Sequence, residues 1–186
     1  MVSGPSGSGK HTVLQEAMKR DDGFALAVTA TTRPPREGEI DAKDYYFYSR
    51  EEFRRRIDAG EFAEFADVHG ELYGTPRHEL ERHLASGKDV LLQIDVQGMR
   101  TLRTSGLDPV TVFLVPPSVE ELEARLRGRA TENAADLALR LRNAHAEIAA
   151  RDEFDHVIVN DDLAEAVAEF LAIVRNDREQ RSGGSG

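Results

Sequence analysis

The stretch "GPSGSGKHT", residues 4–12, decides the fold. It follows the phosphate-loop pattern G-x-x-x-x-G-K-[ST] through Lys10, and His11 stands where the pattern requires a hydroxyl. Glycines in such a loop let successive backbone N–H groups converge on phosphate oxygens without obstruction by a Cβ atom. The residues before it, "MVSG", leave room for about three strand positions, where buried strands usually have roughly five or six. We therefore expect the chain to begin inside that strand or its natural start to lie upstream.

The rest of the chain alternates between apolar runs and helical patterns. The predicted strands are 24–32, a strand pair over 62–76 around Gly70, and the apolar runs 89–96, 109–115 and 156–159. The predicted helices are 10–20, 50–61, 76–86, one from about 97, one opening at Ser118, 133–151 and 162–177. Strands that alternate with helices predict an α/β domain with a mostly parallel sheet.

Composition narrows the function classes. The chain has 186 residues, which suits one domain with room for a small mobile subdomain. A formal net charge of −10 argues against nucleic acid or an anionic membrane as a partner. No apolar run approaches the roughly 18 residues that span a bilayer, and no signal-peptide pattern opens the chain. The sequence has no cysteine, which excludes a disulfide framework and a thiolate nucleophile, so we expect a cytoplasmic protein.

A second cluster of polar residues lies in "TATTRPPREGEIDAKDYYF", residues 29–47. Arg33 and Arg36 stand three positions apart around two prolines that stiffen the loop, so both guanidinium groups could bind one phosphate. The hydroxyl of Tyr45 could reach the same anion. Taken alone, the segment is also compatible with a solvated basic loop.

Six motifs, in order and with their spacing intact, resemble the guanylate kinase family: "GPSGSGK", "TTRPPREGEIDAKDYYF", "GEFAEFADVHGELYGTP", "LLQIDVQG", "PPSVEELEARLRGR" and "IVNDDL". The resemblance covers about residues 2–177. It implies a P-loop fold with a mostly parallel sheet flanked by helices, a small mixed-strand GMP-binding subdomain and a helical lid. We expect a single domain over 1–180, with its core at about 1–32 and 76–180, the GMP-binding subdomain at about 33–75 and the lid at about 125–145. The tail 181–186 is linker-like and expected to be disordered.

The resemblance also implies a reaction and a set of site residues. The γ-phosphoryl group of ATP would pass to GMP or dGMP, with Mg²⁺ required. The implied ATP-binding residues are Gly4, Pro5, Ser6, Gly7, Ser8, Gly9, Lys10, His11, Thr12 and Asn160. The implied acceptor-binding residues are Thr29, Arg33, Arg36, Tyr45, Glu64, Tyr73, Thr75 and Gln93. The implied catalytic residues are Lys10, Arg129 and Arg140, the last two from the lid, and Asp95 would orient magnesium-bound water.

Chemistry supports Glu64 independently of the resemblance. A carboxylate can accept from both the N1–H and the N2 amine of guanine, and adenine offers no such pair. A hydroxyl such as that of Thr29 or Thr75 can donate to O6. Glu64 stands among apolar neighbours in "FAEFA", residues 62–66, which favours a buried position over a surface carboxylate.

Two positions depart from the family pattern. Gln93 replaces an acidic residue two positions before Asp95, on the same face if this stretch is a strand; the change weakens or retunes acceptor contacts, or is neutral. At His11 three accounts compete, because Mg²⁺ prefers hard oxygen ligands. Thr12 could partly replace the missing hydroxyl, although about 100° of helix rotation argues against it. The metal could instead be held by ATP phosphates and waters with Asp95 behind them, or the site could bind nucleotide without turnover.

Two alternatives to an active GMP kinase stay open at this stage. One is a guanylate-kinase-like module that binds nucleotide or protein with little turnover. The other is a kinase of the same fold that acts on a different acceptor. The lid arginines argue against the first, and Thr29 with Glu64 argues against the second. A homo-oligomer is a further possibility that no sequence feature tests.

Overall fold

A computed structural model describes residues 1–68, 70–127 and 134–183. The chain forms two compact units, which we call the donor unit (Met1–Asp21 with Val110–Gly186) and the acceptor unit (Asp22–Pro109). The predicted segment 33–75 falls wholly within the acceptor unit, which also contains residues on both sides of it.

The elements follow the predicted alternation. The strands are β1 (Val2–Ser3), β2 (Phe24–Leu26), β3 (Ala30–Thr31), β4 (Tyr46–Phe47), β5 (Phe62–Val68), β6 (Glu71–Pro76), β7 (Asp89–Leu91), β8 (Val112–Val115) and β9 (His156–Val159). The helices are α1 (Lys10–Arg20), α2 (Arg50–Asp58), α3 (Arg77–Ala85), α4 (Val96–Thr104), α5 (Val119–Arg127), α6 (Ala134–Ala149) and α7 (Leu163–Gly183), with a short 3₁₀ turn at Arg151–Glu153. Within the described residues, no helix is both long and apolar enough to cross a membrane.

The donor unit is built on a three-stranded parallel sheet in the order β1-β8-β9. The central strand β8 is buried along its whole length, as its apolar sequence "VFLV" predicts. The loop 4–9 joins the end of β1 to the start of α1, the context that a phosphate loop requires. The carboxyl ends of these parallel strands therefore lie on the side where the loop begins.

The acceptor unit contains a parallel pair, β2 with β7, and a four-stranded sheet in the order β4-β3-β6-β5. In the second sheet β3 runs parallel to β4, whereas β3–β6 and β5–β6 are antiparallel. Its small core packs Phe53 of α2 against Phe62 and Ala30, with the two rings stacked at 4.4 Å. The predicted α/β architecture, with parallel pairing and a small mixed sheet, is confirmed.

Three predicted elements differ most in extent from those observed. The segment 24–32 forms two short strands, β2 and β3, which belong to different sheets. The run 89–96 is strand only through Leu91, because apolar residues at 92 and 94 report burial rather than pairing. The last helix continues to Gly183 instead of ending at 177, since its Arg, Glu and Gln residues are good helix formers. Residues 181–183 of the predicted tail are therefore helical, and 184–186 lie outside the described residues.

Candidate functional site

The phosphate loop of the donor unit uses glycine where the backbone leaves no alternative. Gly4 has φ 139°, and a Cβ atom there would lie 2.1 Å from the carbonyl oxygen of Leu114 in β8. Gly9 has φ 88°, and a Cβ atom there would lie 2.2 Å from Nδ2 of Asn160. That amide donates to the carbonyl of Ser8 at 2.8 Å. Asn160 thus fixes the loop from the end of β9, whereas its implied contact with ATP stays a prediction.

The mouth of the loop carries positive potential. The N-cap of α1 is Gly9, so the helix begins without a side-chain cap and its positive end faces the loop. Lys10 Nζ donates to the carbonyls of Gly4 and Pro5, at 2.5 and 3.0 Å, across the loop. Among the described residues, the buried Ser8 Oγ has no hydrogen-bond partner. A phosphate group is the anion that such a backbone turn and lysine bind best.

Beside the loop lies an open groove of about 440 Å³. Its walls are Gly7, Gly9, Thr12, Arg125, Asn160, Asp161 and Leu163. Thr12 lines this groove with its hydroxyl, and His11 does not line it, although both residues are exposed. Thr12 is thus the residue at which the first of the three accounts of position 11 can be tested.

In the acceptor unit, Glu64 and Thr75 meet across the hairpin of β5 and β6. Glu64 is only 3% exposed, and Thr75 Oγ1 donates to its Oε1 at 2.5 Å. Burial raises the pKa of Glu64 to about 7, with a further increase from the negative charge of Asp95 and an opposing effect from the Thr75 hydrogen bond. A buried carboxyl poised near neutrality and paired with a hydroxyl is typical of a binding site rather than of a stable core.

A β-bulge decides which residue faces Glu64. Phe62 pairs with Pro76, and the register then shifts so that Glu64 pairs with Thr75. An uninterrupted ladder would place Glu64 opposite Gly74. The bulge thus creates the pair, in keeping with the frequent use of bulges to aim side chains at functional sites.

Helix α4 closes around the same carboxylate. A Cβ atom on Gly98 would lie 2.5 Å from Oε2 of Glu64, so a larger residue there would have to displace the carboxylate. Asp95 is the N-cap of α4, and its Oδ1 accepts from the Gly98 N–H at 2.7 Å. The expectation that Asp95 ends a buried strand is wrong, because β7 ends four residues earlier. Gln93 still forms a single β-bridge, and burial alternates over residues 92–96, so Gln93 and Asp95 share the less buried face of an extended segment. Their implied roles stay predictions.

The predicted phosphate-binding side chains also come together. Arg33 makes a two-pronged ion pair with Glu39, at 2.9 and 2.8 Å, and lies 5.3 Å from the centre of the Tyr45 ring. The rings of Tyr45 and Tyr73 are in edge contact at 6.2 Å. The hydrogen bonds that Arg33 donates to Glu39 and then to Tyr73 raise the pKa of Arg33, which stays fully charged. Arg36 is exposed on the same loop, and its backbone N–H donates to Glu39 at 2.6 Å.

Comparison with known proteins agrees with this geometry. The family model described as guanylate kinase matches residues 1–177. The chain belongs to the guanylate kinase family. It is 45% identical to the guanylate kinase of Thermotoga maritima over 96% of this chain and 86% of that one. It is 49% identical to the guanylate kinase of Rubrobacter xylanophilus, over 94% and 92% of the two chains.

Solved structures give the same result. A crystal structure of guanylate kinase from Anaplasma phagocytophilum matches with a TM-score of 0.76 and 36% identity, over 95% of this chain and 83% of that one. A shikimate kinase from Bacteroides thetaiotaomicron matches with a TM-score of 0.51 at 17% identity, which shows likeness of fold alone. The resemblance drawn from the six motifs is confirmed, and the chain is an enzyme of this family.

Four further residues that the family resemblance implies lie in different parts of the chain. Arg129 lies outside the described residues, as do 128 and 130–133 of the predicted lid. Arg140 is on α6, partly exposed. Thr29 lies between β2 and β3, and its carbonyl accepts from the Tyr46 N–H at 2.9 Å. Gln93 lies between β7 and α4 and is partly exposed.

Three residues with evident roles were not predicted as site residues. Arg125 lines the groove, held by Glu121 at 2.9 Å and donating to the carbonyl of Asn160 at 3.2 Å. Glu39 holds Arg33, and Gly98 makes room for Glu64. The signal for Arg125 was its place one helical turn after Glu121, in the motif "PPSVEELEARLRGR", which carries three arginines.

Proposed function

We propose that this chain catalyses the ATP-dependent phosphorylation of GMP and dGMP to the corresponding diphosphates. The observation that supports GMP as the acceptor is the buried pair of Glu64 and Thr75, whose oxygens lie 2.5 Å apart, in a family named for guanylate. We propose further that 33–75 acts as the acceptor-binding segment and 125–145 as a lid, in a cytoplasmic enzyme. Whether it works as a homo-oligomer is left to measurement.

Guanine recognition follows from the charge of Glu64. The ionised carboxylate accepts from N1–H and from the N2 amine, which adenine, cytosine and uracil do not present together. Thr75 and Thr29 offer hydroxyl donors for O6, and the Thr75 hydroxyl turns from Glu64 to the base when the acceptor binds. A site built around such polar groups rejects analogues that leave them unpaired.

The acceptor phosphate would be held by Arg33, Arg36 and the hydroxyls of Tyr45 and Tyr73. Arg33 is already aligned by Glu39 and by the two aromatic rings, so little side-chain entropy is lost on binding. Two guanidinium groups and two hydroxyls form charge-assisted hydrogen bonds to a dianion. This arrangement would fix the attacking phosphate oxygen.

The donor phosphates would lie on the loop 4–9. The backbone N–H groups and Lys10 would neutralise charge on the transferring group, with Arg140 and Arg129 closing over it. Phosphoryl transfer needs little covalent chemistry from the protein, so catalysis is positioning and charge neutralisation with attacking and leaving oxygens roughly in line. No general base is required, because the acceptor is already an oxyanion.

Magnesium fits this site as a partner of the nucleotide rather than of a protein cage. Within the described residues no group of three acidic, histidine or cysteine side chains is arranged to hold a metal ion. Mg²⁺ commonly keeps several waters and binds substrate phosphates, with one or two protein oxygens. Thr12 is the hydroxyl that the groove offers, and Asp95 is the carboxylate proposed to orient a bound water. The ion would add Lewis-acid polarisation of the phosphates.

A coupled assay of ADP release tests the proposal. GMP, dGMP, AMP, UMP and CMP are supplied in turn as acceptors, first in Mg²⁺ and then in Mn²⁺. Turnover with GMP and dGMP well above the other acceptors supports the proposal. Binding of GMP without turnover in either metal would favour a binding module, and no binding of GMP would favour a different acceptor.

A further inference from the structure

Glu79 is a buried acid for which the proposed reaction has no use. It lies in the first turn of α3, and its side chain is fully buried. Burial of a charge is costly unless partners compensate it. The partners of this carboxylate therefore indicate what it is there to hold.

Three groups of the acceptor unit donate hydrogen bonds to Glu79, and the rings of His78 and His83 lie 3.8 and 3.6 Å from its oxygens. The backbone N–H of Val28 donates to Oε2 at 3.0 Å, and the hydroxyl of Tyr46 donates to Oε1 at 2.9 Å. The guanidinium of Arg82, one turn along α3, lies 3.0 Å away. Burial alone would raise the pKa of Glu79, but the Val28 and Tyr46 hydrogen bonds and the positive charge of Arg82 outweigh it and hold the pKa below its usual range. The acid is thus ionised at neutral pH.

These contacts enclose Thr29. Val28 precedes Thr29 in the chain, and the carbonyl of Thr29 accepts from the backbone N–H of Tyr46 at 2.9 Å. Glu79, Val28, Thr29 and Tyr46 therefore form a closed ring in which each member is joined to the next by a hydrogen bond or a peptide bond. The ring fixes the backbone on both sides of Thr29. It also fixes Tyr46, whose chain neighbour is Tyr45.

We propose that Glu79 is a positioning residue for the acceptor site, acting through Val28 on Thr29 and through Tyr46 on Tyr45. This rests on the proposed function, in which Thr29 reads the base and Tyr45 binds the acceptor phosphate. Glu79 itself touches neither group of the acceptor. Buried charges seldom add net stability over apolar side chains of similar volume, so a role in positioning accounts better for this acid in a small core.

The test measures the KM for GMP and the KM for ATP separately, in variants of the full chain. Glu79→Ala removes both acceptor oxygens, and Glu79→Gln keeps one while removing the charge. We expect the KM for GMP to rise roughly tenfold in Glu79→Ala and less in Glu79→Gln, because small misplacements of binding groups are costly. The KM for ATP stays within twofold, because the donor site does not depend on this ring. Glu81→Ala, an exposed acid two residues along the same helix, is the matched control and leaves both KM values unchanged.

A milder variant keeps the test decisive if Glu79→Ala does not fold. Tyr46→Phe deletes the hydroxyl that donates to Glu79 and keeps the aromatic side chain, which stacks on Tyr48 at 6.1 Å. It is expected to raise the KM for GMP about threefold and the dissociation constant of GMP by the same factor. Folded variants that lower the unfolding temperature but leave the KM for GMP unchanged would overturn the proposal. If the unmodified chain does not phosphorylate GMP, the proposed function fails instead, and the two failures are thereby distinguished.

Discussion

The candidate site of the donor unit is built mainly from backbone groups, whereas that of the acceptor unit is built mainly from side chains. In the donor unit one continuous segment, 4–12, supplies most of the site through its backbone, with Asn160 and Arg125 in support. In the acceptor unit the candidate site is made of side chains from Thr29 just before β3, the loop 33–45, β5, β6 and the segment between β7 and α4. A backbone site tolerates side-chain changes as long as its glycines and lysine remain. A side-chain site depends on register and packing at every position.

The largest effect is expected from Lys10→Ala. Loss of one preorganised charge at the transferring phosphoryl group should lower kcat by about 10²- to 10³-fold. The KM for GMP should change little, since the acceptor unit contributes that binding. Steady-state kinetics with both substrates varied gives the two numbers. Lys19→Ala, at the exposed end of the same helix, is the control. A comparable rise in the KM for GMP would contradict the division of labour between the units.

Gly98→Ala should act on the acceptor side alone. The added methyl displaces the carboxylate of Glu64 and costs one charge-assisted hydrogen bond, so the KM for GMP is expected to rise at least about tenfold. Alanine has the higher helix propensity, so α4 itself is not weakened. The KM values for GMP and ATP are measured beside those of Thr101→Ala, an exposed site on α4. An unchanged KM for GMP would show that Glu64 does not need the space.

The pH dependence should differ between the two substrates. The pKa of Glu64 is about 7, so below pH 7 a proton competes with guanine and the KM for GMP should rise by up to about tenfold per pH unit. Because the acceptor phosphate itself titrates near pH 6, Glu64→Gln, which keeps that contribution, is the control. The same raised pKa means that the stability contributed by protonated Glu64 is lost as pH rises from 4.5 through about 7. A KM profile that is identical in wild type and Glu64→Gln would contradict the assignment.

The smallest effect concerns the hydroxyl beside the phosphate loop. Thr12→Ala should lower kcat by about fivefold, whereas His11→Ala should leave kcat within twofold, because Thr12 and not His11 lines the groove. Paired kcat measurements in Mg²⁺ decide between them. A larger loss of kcat in His11→Ala than in Thr12→Ala would contradict this account and indicate that position 11 contributes to catalysis.

The difference between the units also explains how far the sequence could predict the site. The loop 4–9 and the start of α1 at Lys10 were predictable, because three glycines and a lysine at fixed spacing encode a backbone shape. Arg33 with Tyr45 was partly predictable, since both lie in one short segment. The elements were placed well, but the boundary at Leu91 was not, because Leu92 and Ile94 look the same in a strand and in a buried extended connection.

Contacts that depend on strand register and tertiary packing could not be predicted from the sequence. The bulge between Phe62 and Glu64 is invisible in the alternation of residues 62–68, yet it places Thr75 opposite Glu64. The need for glycine at position 98 arises from a carboxylate 34 positions away in the chain. The ring around Thr29 depends on Glu79, which carries no motif. These contacts depend on tertiary packing, which no local pattern specifies.

The most direct test of the account compares GMP with inosine monophosphate, which keeps the N1–H but lacks the N2 amine. The ratio of kcat/KM for the two acceptors is measured at pH 8 in the wild type and in Glu64→Gln. The account predicts that the wild type favours GMP by about 10- to 100-fold, the value of one hydrogen bond to a charged group. It predicts that Glu64→Gln brings the ratio close to one. A ratio that Glu64→Gln leaves unchanged would show that guanine is read elsewhere.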